Sequence, residues 1–514
     1  MRIGVLELLR AQVNTPCNQK LYDHLIVKQY ASIMPQAVSV WCRSLGHEVF
    51  YATYFGQRDP RQLLPSDLDV VFVSGHTEAS ALAYALSKLY RRENTVTVMG
   101  GPHAKQFPHD CLRFFDIVVR DCDRSLIVDI LSELPRGEIV SSAHTLQEIP
   151  SVHERMPEVR AANFWRGRPY PLAVISLLTS LGCPYSCDFC VDWNNPYTLL
   201  PREQLEADLR FIVHNFPEVL VSFHDPNFAI KFDEVLDVIE KLPRDGRRRY
   251  AMESSLSILR PSRLERLREA GFAFVAPGVE SWMAYSNKSG TGSAVSGREK
   301  LERVVNHFEL IHEYIPMLQA NFIFGLDCDE GDEPVELMKE FTTRAPFVWP
   351  NVGIPTPYGE TPLYHQHMSE GRMLTSMPFA FYWGPYLVTT PKNYTPAAYY
   401  QRISEIFSHS ATGSMLIKRL RANSGLVRFA HSARTIGLRA MAKTLRGLGE
   451  LMKSDAQLRA FHEGESQTLP PFYRRLYDDL LGPYATLLSE EDRQPLHQPM
   501  GHACPYPDCE GGAR

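Results

Sequence analysis

Short apolar runs alternate with stretches of helical period along the first 130 residues. Ile3–Leu9, Glu48–Thr53, Val70–Ser74, Val96–Met99 and Ile117–Val119 read as buried strands with helical segments between them. Such alternation predicts a parallel sheet covered on both faces. Residues 131–170 hold Pro135, Pro150, Pro157 and Pro169 and read as a connecting segment. A second alternating series begins near Leu172, with candidate strands Ala173–Leu178, Leu220–Phe223, Tyr250–Glu253, Phe274–Gly278, Ala320–Gly325 and Val352–Pro355. Those strands, with helices between them, predict an incomplete parallel barrel whose chemistry sits at the carboxyl ends of the strands. Beyond about residue 380 the strand signal fades. Pro396–Ser408, Ser414–Arg421, Arg434–Lys453 and Pro471–Leu488 read as helices, and the Gly- and Pro-containing tail from Gln494 as poorly ordered. The expected division is 1–135 for the first α/β domain, 136–170 for a linker, 171–380 for the barrel and 381–514 for a helical C-terminal domain.

Composition changes this picture little. At 44% hydrophobic and 22% charged, the chain has the makings of a sizeable core. A net charge of −5 gives no global reason to expect a nucleic-acid partner. No apolar run approaches the roughly 18 residues of a membrane span, and the start, "MRIGVLELLRAQVN", does not look like a signal peptide. A cytoplasmic location is expected. There a tight cysteine cluster points to metal binding or chemistry more than to disulfides.

Three of the ten cysteines form such a cluster. Cys183, Cys187 and Cys190, spaced C-x3-C-x2-C, follow the first barrel strand directly. Thiolates at this spacing can occupy three corners of one iron–sulfur cube from a single loop, whereas a structural zinc site wants four ligands. The missing fourth ligand then leaves one iron open. Gly182 and Pro184 suit a tight turn, and Phe189 adds an aromatic face beside the last thiol.

This motif resembles the signature of the radical SAM enzymes. Their open iron is chelated by the amino and carboxylate groups of S-adenosylmethionine (SAM), and one electron from the cluster cleaves a carbon–sulfur bond to give a 5′-deoxyadenosyl radical. Further stretches are similar to family segments. "FHDPNF" (Phe223–Phe228) ends the second strand, "GVES" (Gly278–Ser281) the fourth, and "FIFGLDCDEGDE" (Phe322–Glu333) and "PTPYGETPLY" (Pro355–Tyr364) match the fifth and sixth. The resemblance implies SAM contacts from Phe189, Asp225 and Glu280, while Glu253, at a predicted strand end facing the site, reads either as an acceptor for the SAM ammonium or ribose hydroxyls or as an ordinary surface acid. His224 and Asp225 stand where many relatives have two acids, so the contact to the SAM amino group stays open.

In the first domain, "VVFVSGHTEAS" (Val70–Ser80) and "VTVMGGPHAKQFP" (Val96–Pro108) place Ser74, Thr77, Gly100 and Gly101 at strand ends, where parallel sheets hold cofactors. These stretches resemble the flavodoxin-like cobalamin-binding domain of one large radical SAM subclass. The Asp-x-His-x-x-Gly motif of histidine-ligated cobalamin is absent between Arg10 and His24, where Asp23 and His24 are adjacent. The resemblance therefore implies cobalamin with no protein histidine on cobalt. "RDCDRS" (Arg120–Ser125) replaces the usual acidic turn. His76 and His103 read as exposed loop residues with no role on cobalt.

The resemblance implies a cobalamin-dependent radical SAM enzyme that methylates an unactivated carbon, or phosphorus, of a small-molecule or lipid substrate, with flavodoxin or ferredoxin as electron donor. A radical cyclase, oxidase or rearrangement enzyme on the same scaffold stays open, as does a non-catalytic iron–sulfur sensor. Between Ala411 and Lys453 nine Lys and Arg face Glu450 alone, interleaved with Met415, Ile417, Leu420, Leu426, Val427 and Phe429. This segment reads either as a solvated helical face or as a peripheral contact with anionic lipid or substrate. Cys504 and Cys509 form one pair, too few for a metal site alone.

Overall fold

The computed structural model describes residues 1–13, 17–144, 146–169, 173–242, 249–283 and 296–497. Cys504, Cys509 and the tail beyond residue 497 lie outside these. The first sheet contains β1 (Arg2–Leu8), β2 (Glu48–Tyr54), β3 (Val70–Gly75), β4 (Val96–Gly100), β5 (Ile117–Val119) and β6 (Glu138–Val140). Every pairing is parallel and the order is β2-β1-β3-β4-β5-β6, the flavodoxin-like winding. Ile3, Val5, Val70, Val98 and Ile117 are buried under covering helices, as the continuous apolar runs require.

The segment expected to be a plain connection contributes to this layer. β6 completes the sheet edge, and a helix over Met156–Asn163 follows it. Three residues with a partly exposed pattern carry little apolar signal, which is why the strand escapes a reading by hydrophobic runs. Buried Arg155 donates to the Pro150 carbonyl (3.0 Å) and to Gln36 Oε1 (2.8 Å), so the segment is packed against the first domain.

The second sheet contains β7 (Val174–Leu177), β10 (Leu220–Phe223), β11 (Tyr250–Ser255), β12 (Phe272–Glu280), β13 (Met317–Ile323) and β14 (Val348–Gly353). They pair in parallel and in chain order, and among the described residues β7 and β14 do not pair, so the barrel is open. A small antiparallel ladder, β8 (Ser180–Leu181) with β9 (Thr198–Leu199), stands beyond β7. The helix-facing positions Val221, Val275 and Leu318 are fully buried, whereas Ser222, Phe274, Gln319 and Asn321 on the opposite face are only partly so. The concave face is therefore partly polar and incompletely filled, unlike the packed interior of a closed barrel.

The first domain meets both edges of this barrel. Gln29 Oε1 accepts from the Val174 amide at 3.1 Å beside β7. Beyond β14, Gly359 lies so close to Gln106 that a Cβ there would strike the Gln106 carbonyl oxygen, and the Phe107 and Phe379 rings lie 3.9 Å apart.

Helices over Pro396–Ser410, Gly413–Ala422, Gly425–Ser454, Ala456–His462 and Pro471–Leu481 build the C-terminal part. Thr395 and Thr412 cap two of them through their hydroxyls. The Val13 amide donates to the Leu480 carbonyl at 2.9 Å, returning the chain's end to its beginning. The tail is ordered further than expected. The Leu496 amide donates to Asp110 Oδ1 (2.9 Å), and His497 pairs with the Tyr364 hydroxyl (3.0 Å) and the Thr375 carbonyl (3.1 Å). Among the described residues no helix is long and apolar enough to cross a membrane.

Candidate active site

The three cysteines lie on a loop tied off at both ends. Gly182 has φ +64°, and a Cβ there would collide with the carbonyl oxygens of Asn195 and Pro196, so a side chain would force the loop open. The β8–β9 ladder closes the neck. Inside it the Cys183 amide donates to the Asn195 carbonyl (3.2 Å), Cys190 to Cys187 (3.0 Å) and Trp193 to Cys190 (3.1 Å). From outside, the Leu363 amide donates to the Asp188 carbonyl (3.0 Å) and Trp193 Nε1 to the Glu360 carbonyl (2.9 Å). Lys105 Nζ, from the first domain, reaches Asn195 Oδ1 at 3.2 Å. Cys183 is buried, while Cys187, Phe189 and Cys190 are partly exposed.

Among the described residues no three His, Cys, Asp or Glu side chains gather closely enough to share a single ion. Each corner of a cube takes its own thiolate, so the fit to a cluster rests on the shared, anchored loop. The chemistry beside it agrees. Buried Asn227 directs Nδ2 toward Cys183 Sγ at 3.9 Å while its Oδ1 accepts from the Ser255 amide at 2.9 Å. A donor beside a cluster sulfur is one way a protein sets a cluster's potential. Asn227 lies within the quoted "FHDPNF" stretch, but only the fold shows which of its polar residues faces the thiols.

Asp225 is engaged by the chain itself. Its buried carboxylate accepts from the Thr179 amide (3.0 and 3.1 Å), Thr179 Oγ1 (2.6 Å) and Ser180 Oγ (2.6 Å). Burial pushes its pKa up, and these bonds oppose the shift. The residue fixes the strand leading into the cysteine loop.

Glu253 stands exposed on β11. Glu280, at the end of β12, is buried at φ +68°, a conformation that costs an L-residue about 1–3 kcal/mol and persists only where its surroundings impose it. Its carboxylate folds over Gly278, where a Cβ would strike Oε1, and the β12–β13 ladder shifts register at the same point. Lys300 lies behind it, donating to the carbonyls of Val279 (3.3 Å) and Ser281. Burial pulls the Lys300 ammonium down to about 8, with Glu280, Cys328 and Asp329 opposing. Ser281 Oγ donates to Asp329 Oδ1 at 2.7 Å, and Asp329 also accepts from the Gly325 and Leu326 amides, joining the ends of β12 and β13. Along the lumen, Asn321 Oδ1 accepts from Gln319 (2.9 Å) and Asn351 (3.1 Å), and Asn321 donates to the Ala276 carbonyl (3.2 Å). Their period-2 placement resembles any half-exposed strand face, so the sequence alone did not single them out.

In the first domain, Ser74 and Gly100 face each other across the β3–β4 ladder. Among the described residues nothing lies within 4 Å of a Cβ built on Gly100, whereas one on Gly101 (φ +87°) would strike Ser74 Oγ. The open space is thus at Gly100. Thr77 is buried in a short 3₁₀ turn after β3. His103 is not the exposed loop residue expected. It is buried with Nε2 2.6 Å from the Tyr84 hydroxyl, and burial pulls its pKa down to about 3. Asp23 is held by Arg10 (3.0 Å). In the turn after β5, Asp121 accepts from Lys105 (3.0 Å) and Asp123 caps the helix Arg124–Glu133 through the Leu126 amide (2.8 Å).

Residues 177–341 match the model of the Radical SAM superfamily. The chain is 22% identical over 372 residues to the bacteriochlorophyllide d C-8(2)-methyltransferase of Chlorobaculum tepidum, covering 69% of this chain and 80% of that protein. It is 26% identical over 209 residues to the hopanoid C-2 methylase of Rhodopseudomonas palustris, covering 40% or less of each: 39% of this chain and 38% of that protein. Among solved structures, the radical S-adenosylmethionine methyltransferase TsrM from Kitasatospora setae, with tryptophan substrate and a SAM analog bound, shares the fold at a TM-score of 0.53 and 14% identity, over 88% of this chain and 99% of that one. With the anchored three-cysteine loop at the mouth of an open parallel barrel, the match marks residues 177–341 as a radical SAM domain.

Proposed function

We propose that the chain is a cobalamin-dependent radical SAM methyltransferase acting on an unactivated carbon, or phosphorus, of a small-molecule or lipid substrate. The observation that carries this reading is the joining of the two carboxyl-end faces. Lys105, just after β4, contacts both Asp121 of its own domain and Asn195 of the cysteine loop. A cofactor held at the ends of β3 and β4 would then face one held at the end of β7. The relatives' names, methyltransferases of a tetrapyrrole and a hopanoid, support methyl transfer to carbon.

When bound, the cluster with SAM supplies a one-electron cleavage to the 5′-deoxyadenosyl radical, and cobalamin supplies a transferable methyl group. The chain's residues hold and orient these groups. Cys183, Cys187 and Cys190 hold the cluster, with Asn227 donating toward Cys183. Glu280 accepts hydrogen bonds from the SAM ammonium or ribose hydroxyls, Glu253 does so from across the lumen, and Phe189 packs beside the last thiolate. Asp225 positions the cysteine loop. Ser74, Thr77, Gly100 and Gly101 line the path of the cobalamin tail, and no histidine binds cobalt. Gln319, Asn321 and Asn351 face the methyl acceptor. The units are 1–135 for cobalamin, 171–380 for SAM and 381–514 as the helical cover.

The setting is the reducing cytoplasm, with a flavodoxin or ferredoxin as electron donor. A peripheral contact with anionic lipid is part of the reading. Leu426 and Phe429, 83% and 74% exposed, stand beside exposed Arg421 and Arg428 at the turn between two helices. Incubating the anaerobically reconstituted, reduced protein with SAM should release 5′-deoxyadenosine. No release, with the cluster present, would overturn the reading of reductive SAM cleavage.

A further inference from the structure

A cationic cluster with no carboxylate paired to it among the described residues lies where the C-terminal helices meet the barrel. Its centre is the buried Trp349 ring on β14. The guanidinium carbons of Arg419 and Arg434 lie 4.9 and 5.4 Å from the ring centroid, and the His431 ring is 5.9 Å away. Arg419 is fully buried and spends its donors on the Ser410 carbonyl (2.7 Å), Ser410 Oγ (2.6 Å) and Thr435 Oγ1 (2.7 Å). Among the described residues its Nε and both ring nitrogens of buried His431 have no hydrogen-bond partner. Among the described residues no carboxylate forms an ion pair with Arg419 or Arg434. The chain supplies none locally, having no Asp or Glu from Ala411 to Gly449.

Arg434 differs from Arg419 in where it points. Among the described residues it donates a single long hydrogen bond, 3.3 Å, to Gln319 Oε1. Gln319 belongs to the polar lumen row and stands opposite Trp349 in the β13–β14 ladder. The other electrostatic neighbours of Arg434 are the phenols of Tyr22 and Tyr30, both exposed, and Tyr30 in turn interacts with Glu253. A guanidinium has five donors in a planar fork that matches a carboxylate or phosphate, and it stays charged when partly desolvated. Stacking on Trp349 offsets some of the cost of burial but leaves the fork unfilled.

We propose that Arg434 is an anion subsite of the barrel lumen, taking a carboxylate or phosphate carried by the methyl acceptor. Trp349 sets the plane of the fork and Arg419 adds positive field from behind. The inference rests on the reading of the lumen as the substrate site, but its test needs neither SAM cleavage nor methyl transfer, so the two fail separately.

The test is calorimetric titration of the reconstituted full chain with decanoate, decyl phosphate and decanol. At least one anion should bind about tenfold more tightly than decanol, the scale of a charge-assisted pair. Whichever anion does so identifies the group. In Arg434→Gln the ratio should fall to near one, and in Arg434→Lys it should survive in part, because the charge remains while the fork is lost. Equal binding of all three probes by the wild-type protein, or an unchanged ratio in Arg434→Gln, overturns the assignment. Should Arg434→Gln not fold, phenylglyoxal labelling of the wild-type chain decides. Modification at Arg434 should be slowed by the anion and not by decanol, and equal rates overturn the proposal.

Discussion

Glu280 and Gly100 carry the sharpest tests at the scale of single residues. The backbone of Glu280 is held at φ +68° with its carboxylate turned over Gly278, an arrangement a merely exposed acid would not need. Replacing it with Ala should cost about 1.5–3 kcal/mol of SAM affinity, read by titration of the reconstituted protein. Unchanged affinity would remove the residue from the site. Gly100, not Gly101, is the clean probe of the cobalamin path, because a Cβ on Gly101 strikes Ser74 before it could meet a ligand. Gly100→Val should lower cobalamin content and leave iron content unaltered, and equal cobalamin in both proteins would count against that path. The thiols and Glu280 could be proposed from sequence because both sit in motifs. Asn227, Gln319, Asn321 and Arg434 were not, since only folding brings them onto the same faces.

Lys300 adds a pH-dependence with a definite sign. Its folded value of about 8 lies below the ordinary 10.5, so between these values the unfolded chain binds the extra proton. Stability should therefore rise with pH across that window through this residue, a rise diminished in Lys300→Met. Denaturant midpoints across the window measure it, and identical slopes in the two proteins would contradict the assignment.

At the scale of elements, the cysteine loop behaves as a unit, closed by Gly182, the β8–β9 ladder and the contacts from Asp188 and Trp193. Gly182→Ala should lose iron with little change in far-ultraviolet circular dichroism, and a full iron complement in that variant would mean the loop tolerates opening. The helical turn bearing Leu426 and Phe429 is a separate element with its own expectation. The double variant Leu426→Ser, Phe429→Ser should sediment less with anionic vesicles than the wild-type chain, and no vesicle binding by either would end the lipid-contact reading. Most strands were legible because buried parallel strands are continuous apolar runs. β6 was not, being a three-residue, partly exposed edge, and the tail's attachment through Leu496 and His497 depends on partners hundreds of residues away.

For the whole molecule, the arrangement matters more than any one part. The first domain touches the barrel beside β7 through Gln29 and beyond β14 through Gln106, so the open side of the barrel is flanked by the domain proposed to carry cobalamin. The order of domains could be read from the changing period of hydrophobic positions. Their mutual docking could not, because Lys105, Asn195 and Gln106 look like ordinary surface residues in sequence. The most direct measurement of the central claim is the cofactor content of the anaerobically reconstituted chain beside its Cys183→Ala, Cys187→Ala, Cys190→Ala triple variant. The account predicts about four iron and four sulfide with one cobalamin per wild-type chain, and loss of iron and sulfide but retention of cobalamin in the variant. A wild-type chain that takes up a cluster but no cobalamin would contradict the methyl-transfer account.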